Sequence, residues 1–282
     1  MQDQSVESRP KSQTIIRAST GFGGMNLKSL WKYRELLWML AMREVSLRYR
    51  QTVLGVTWVI LQPVLTTVIF TIIFGTLMKA PSDNVTYALF TFAGMLPWNI
   101  FSQSLQRAGI SLTKDIRLVT KIFFPRIIIP VSNAISTVVD FLVSAVILVG
   151  LMIFYHETFT LRLLTIPLFI ILDLILAIGV GVIFAALNVY YRDFTYVLPF
   201  VIQVWLYASP IAYSAKLIPA SWEWVYNLNP IVGIITGFRW AVFSNIPFPG
   251  QALMYSFISS IAIFVIGMII FHRLEKSFAD VI

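Results

Sequence analysis

The chain reads as long uncharged runs separated by short charged breaks, and the runs lack the strict alternation of a half-buried strand. A helix that crosses hydrocarbon needs about 20 residues free of stranded charge, because the apolar core is about 30 Å thick and each residue rises about 1.5 Å. Six stretches approach or exceed this length: 53–78, 84–108, 127–155, 163–189, 194–215 and 251–271. Arg107 sits near the end of the second, and the third and fourth each carry one acid, Asp140 and Asp173. Unpaired backbone groups are not tolerated in lipid, so runs this long must be helical. A porin-like barrel would need short alternating segments instead. The pattern predicts an all-α membrane protein with six transmembrane helices.

Two segments fit neither a span nor an ordinary loop. Between the fifth and sixth runs, residues 217–249 are rich in aromatics and broken by Pro219, Pro230, Pro247 and Pro249. The longest uncharged stretch there, Trp224 to Phe238, is 15 residues, short for a crossing. It predicts a re-entrant extracytoplasmic segment of two short helices on either side of Asn229-Pro230, with a plain loop as the alternative. Before the first run, residues 28–52 predict an amphipathic helix lying in the membrane interface. Lys32, Glu35, Arg43, Ser46 and Arg50 form its polar stripe, and Trp31 and Trp38 serve as anchors. Arg34, Glu44 and Arg48 fall off that stripe. Residues 1–27 are Ser, Gln and Gly rich and read as a disordered tail. They hold no apolar core, so no cleavable signal sequence is expected. Residues 272–282 read as a second short tail.

Composition sharpens this picture. Of 282 residues, 58% are apolar and 12% charged, against about half and about a quarter in a soluble domain. Sixteen of the 21 Lys and Arg fall on the side of the two termini and four on the other. By the positive-inside rule both termini are then cytoplasmic. A net charge of +8 on so apolar a chain speaks against a nucleic-acid binder. With no cysteine and only two histidines, His156 and His272, disulfides, thiolate zinc sites, cysteine nucleophiles and histidine metal sites find no support. The chain has no GxxxxGK[ST] phosphate loop, no GxSxG elbow and no HExxH. Asp140 and Asp173 lie about 20–24 Å along their spans from the terminus side. If their helices touch they could share a proton or bind a polar substrate; otherwise each is satisfied within the bundle. No basic partner is evident at that depth.

Four stretches in order then point to a family. Arg43-Glu-Val-Ser-Leu-Arg-Tyr-Arg-Gln-Thr-Val-Leu-Gly-Val-Thr-Trp-Val-Ile-Leu-Gln-Pro63 resembles the passage from interface helix to first span in ABC-2-type polysaccharide export permeases. Lys121 to Pro130 (KIFFPRIIIP) resembles the entry to their third span. Leu187 to Asp193 (LNVYYRD), with Ser209-Pro210-Ile211, resembles the connection and fifth span, and Asn227-Leu-Asn-Pro230 the re-entrant helices. The likeness covers about Met25 to Ala279, closest to the branch exporting O-antigen and teichoic acid.

The resemblance implies a homodimer in the bacterial inner membrane, each protomer holding one ATP-binding-cassette ATPase subunit. The substrate would be an undecaprenyl-linked polysaccharide. The chain itself would hold no cofactor, ATP and Mg being bound by the partner. Lys114, Asp115, Arg117 and Lys121 of the loop 113–126 would couple to the ATPase, with Arg192 and Asp193; a merely solvated loop is the alternative. Arg43, Arg48 and Arg50 would meet lipid headgroups or a pyrophosphate. Trp58, Phe70, Phe74, Trp205 and Tyr207 are candidates for a glycan path, though each also suits an interfacial belt or packing. Teichoic acid, capsule, a small lipid or a drug remain as other cargoes, and a membrane-embedded glycan transferase as another class.

Overall fold

A computed structural model describes residues 31–50, 57–116, 118 and 124–278. All regular structure among them is helical. Helix α1 runs Arg34–Arg50, α2 Thr57–Phe70 and α3 Tyr87–Lys114; α2 continues into a π-helical turn, Thr71–Leu77. The third run divides at Ser136 into α4 (Ile128–Ile135) and α5 (Thr137–Phe154). After a 3-10 turn, Leu161–Thr165, come α6 (Ile166–Tyr190) and α7 (Phe194–Tyr207). Two short helices, α8 (Ala220–Asn227) and α9 (Pro230–Val242), precede the last, α10 (Gly250–Glu275).

Among the described residues four stretches are long and apolar enough to cross a membrane: Val59–Leu77, Ile128–Phe154, Leu161–Tyr190 and Gly250–Glu275. Helix α7 and α9 are apolar but shorter, and α3 is long but carries polar residues through its second half. The chain is a multi-pass membrane protein.

The two central helices are α3 and α6, which pack on each other; α10 lies against α6 and α9. Lipid tails are as apolar as leucine, so close packing rather than water exclusion holds such helices together, and small residues let them approach. At the α6–α10 crossing a Cβ on Gly179 would lie 2.7 Å from the Cα of Phe264, and one on Gly267 would strike the Gly179 carbonyl. The backbone, unlike a side chain, cannot turn aside.

The Asn229-Pro230 break forms as expected. The Asn229 side chain accepts from the Ile231 N–H at 3.3 Å, and Pro230, whose missing N–H is no loss in a first turn, starts α9. The uncharged run 194–215, by contrast, is helical only to Tyr207. Pro210 lacks an N–H and disfavours helical backbone at Ser209, so the chain turns there despite its apolar composition. The tail also departs from expectation: α10 continues to Glu275, and Phe278 is fully buried.

Helix α1 is not divided as its polar stripe suggests. Leu37, Ala41, Glu44 and Arg48 lie one turn apart and are at least partly buried, whereas Trp31, Trp38, Met39 and Leu47 are exposed. The side facing the protein therefore includes Glu44 and Arg48, two of the three residues off the predicted stripe.

Candidate functional site

Helix α1 is joined to the bundle at two levels. Near the end of α3, Arg43 pairs with Asp115 at 3.4 Å and Lys114 with Glu44 at 2.7 Å. The two pairs run in opposite senses, one cation on each helix, and form a clasp. Deeper, Asp140 in the first turn of α5 accepts from Arg48, from the Tyr49 hydroxyl at 2.6 Å and from Arg107 Nη2 at 2.8 Å. Arg48 also donates to the Ser136 hydroxyl at 3.2 Å. Burial and the Asp140 carboxylate push the Tyr49 phenol up to about 12.

For Asp140, this corrects the expectation that no basic partner reaches the depth of the intramembrane acids. Helix α1 packs on α4, which brings Arg48 next to the start of α5. The long aliphatic stems of Arg48 and Arg107 then carry their guanidiniums to the acid's depth. Nor do the two acids meet. Asp173, on α6, is fully buried, and neither of its oxygens has a hydrogen-bond partner among the described residues.

The other sequence candidates separate. Arg117 and Lys121 lie outside the described residues, as does the side chain of Trp58. Arg192 and Asp193 form the exposed turn between α6 and α7, and Arg50 is exposed at the end of α1. Lys114 and Asp115 face α1, so two of the expected coupling charges are engaged with that helix. Phe70 and Phe74 meet edge to face, with ring centroids 5.6 Å apart. Trp205 packs edge-on to Phe101 at 4.8 Å and donates to Asn229 Oδ1 at 2.8 Å. It also lines an apolar cavity of about 550 Å³ with Phe200, Val204 and Leu228. Tyr207 is exposed.

Two arrangements escaped the sequence reading. Arg239, one of the four cations on the side away from the termini, is 2% exposed in the last turn of α9. Its guanidinium donates to the carbonyls of Phe90 (3.1 Å), Pro210 (2.6 Å) and Ile211 (2.7 Å) and lies 3.5 Å from the Phe90 ring centroid. It thereby pins the turn after α7 to α3. Tyr87 reinforces the pin by donating to the Ala212 carbonyl, and Asp83 by accepting from Ser214 at 2.9 Å. An arginine inside an otherwise apolar helix, in Phe238-Arg-Trp240, was the available signal.

The second is a cavity of about 440 Å³ between α2, α3 and α7, walled by Trp98, Pro199, Ile202 and Leu206 and reached by four glutamines and Arg107.

A bundle of long apolar helices with a further helix ion-paired to it defines a multi-pass membrane protein. The family model of ABC-2 type transporters matches residues 35–243, from α1 through α9, and the chain belongs to that family. Among curated proteins it is 28% identical over 249 residues to an O-antigen export system permease protein of Klebsiella pneumoniae, covering 88% of this chain and 95% of that one. A protein of the same description from Myxococcus xanthus is 27% identical, covering 90% and 98%. A polysialic acid transport protein of Escherichia coli is 26% identical, covering 84% and 93%.

Proposed function

We propose that the chain is the membrane permease subunit of an ATP-binding-cassette exporter that moves a lipid-linked polysaccharide, of O-antigen type, out of the cytoplasm. The reading rests on near full-length similarity to relatives named for polysaccharide export or transport. In it, two copies of the chain assemble in the inner membrane with two ATPase subunits that supply ATP and Mg, and both termini are cytoplasmic. The six runs act as spans, α3 and α7 included, while α8 and α9 dip into the outer leaflet as re-entrant helices.

The structure supports a coupling role for the end of the molecule that holds α1. ATP-driven motion must reach the spans through contiguous packed elements. The clasp and the Asp140 cluster tie α1 to α3 and α5 by side chains alone, so a push on α1 or on the residues after Lys114 is shared by both helices.

Deleting the chain in its host is expected to abolish polymer at the cell surface and to accumulate lipid-linked polymer inside, both reversed by supplying the gene. Unchanged surface polymer refutes the proposal. The relative named for polysialic acid transport favours one second reading, an acidic polysaccharide cargo; the sugar composition of the accumulated polymer decides between them.

A further inference from the structure

The cavity between α2, α3 and α7 has an unusual distribution of amides. Gln62 is the one glutamine of α2, Gln103 and Gln106 are the two of α3, and Gln203 is the one of α7, and all four line it. Gln103 lies eleven residues from Lys114, the end of its helix, so the cavity opens about 16 Å along α3. Gln62 and Gln203 are exposed on the open side of the cavity, and Gln103 and Gln106 are half-buried; an amide facing hydrocarbon without a partner is costly. Gln103 bonds Arg107, but the side chains of Gln62, Gln106 and Gln203 hydrogen-bond no other described residue. Arg107 is held through Nη2 by Gln103 and Asp140, while its Nη1 is buried with no hydrogen-bond partner among the described residues. Three helices thus converge uncommitted donors and acceptors on a volume within the range of about 300–1,000 Å³ typical of small-molecule sites.

Resting on the export reading above, we propose that this cavity is a station for the hydroxyl groups of uncharged sugar residues as the polymer passes. A side-chain amide offers both a donor pair and an acceptor, which suits vicinal hydroxyls that are each donor and acceptor. Trp98, Pro199, Ile202 and Leu206 supply apolar wall for the C–H faces of the same rings. Among the described residues no carboxylate lines the cavity, and the one cation that does is already paired with Asp140, so neither a metal ion nor a polyanion is matched. The amides stand in for the water the sugar loses on entering the membrane, which lowers the barrier to passage instead of trapping the polymer.

The chain contains no cysteine, so single replacements report on the site directly. Gln62→Cys and Gln203→Cys, each in the full permease with its ATPase partner, are treated with a small hydrophilic maleimide. Membranes from cells making polymer, with the ATPase blocked, are compared with membranes from cells that cannot make it. Both positions should label without polymer and be protected severalfold with it, while Val146→Cys, on the exposed face of α5, shows no difference. In parallel, Gln106→Leu with Gln203→Leu should slow export roughly tenfold at unchanged membrane level, since two hydrogen bonds are lost from the path. Labelling that ignores polymer, in a host whose surface polymer does vanish on deletion, overturns the station and leaves the export reading intact. Failure to label in either membrane also overturns it, because a second copy of the chain then fills the cavity. Surface polymer that survives deletion overturns both readings.

Discussion

Replacing Asp140 by Asn keeps the shape of the side chain and removes the charge that two guanidiniums share. The Asp140 side chain is 5% exposed, and those of Arg48 and Arg107 are 20% and 19%. Removing one partner of a buried ion pair costs about 3–5 kcal/mol, chiefly because the other charge is left uncompensated. Here the arginines keep some access to solvent, which places the loss near the lower bound, about 3 kcal/mol. The amide N–H pair is also mismatched to the two guanidiniums, which can only donate. Arg48→Leu leaves Asp140 with Arg107 and Tyr49, so its cost should be smaller, about 1–2 kcal/mol. Thermal unfolding of the purified permease in one fixed detergent checks this. At about 2–4 °C per kcal/mol, Asp140→Asn should lower the midpoint by about 6–12 °C and Arg48→Leu by clearly less. Moderate salt should not change the Asp140→Asn effect, because the pair is mostly shielded. Equal losses for the two variants, or a neutral Asp140→Asn, would refute the view that this carboxylate is the shared counterion of the cluster.

Lys114→Glu should impair export through loss of the clasp while changing stability by less than about 1 kcal/mol, as for other surface pairs. Adding Glu44→Lys should restore export, measured as surface polymer. Arg239→Lys should destabilise strongly, by about 2–3 kcal/mol, because a single ammonium replaces a planar fork that reaches three carbonyls; the midpoint shift and protease sensitivity of the turn after α7 report this. Tyr49 binds its proton more tightly when folded, with a value of about 12 against 10.0. Its contribution is therefore complete below about pH 10 and lost as the pH rises toward about 12. Tyr49→Phe should flatten stability across that window.

Much of the fold is local and was legible. An uncharged run of 20 residues must become a helix in lipid whatever surrounds it, and Asn229-Pro230 encodes a cap and a first turn in two residues. The early end of α7 was also written locally, in Ser209-Pro210, but an uncharged count overlooks it. What could not be read was the pairing across sequence. Arg48 and Asp140 are 92 positions apart and Arg107 and Asp140 are 33 apart, so no spacing rule joins them. Reckoning depth by residue number placed each arginine at the position of its Cα, whereas its charge lies several ångströms away at the end of a flexible stem. Arg239 misled for the opposite reason: a cation outside the long runs was counted only as one on the side away from the termini, and its partners are backbone carbonyls that carry no sequence signal. The glutamine cavity needed three helices in place before four unremarkable residues became one site.

The Arg48–Asp140 pair also constrains how the protein is made. Arg48 leaves the ribosome 92 residues before its partner. At about 5–20 residues per second, that is a delay of roughly 5–20 s. During that interval Arg48 has no carboxylate to dock against, and α1 can be held only by the clasp, once Lys114 and Asp115 have followed Glu44 and Arg43 by 70 and 72 residues. Arg107, by contrast, enters only 33 residues ahead of Asp140. The helices carrying these two can therefore insert together as a hairpin that already contains its own ion pair, and docking of α1 becomes the step that records that the third run has arrived.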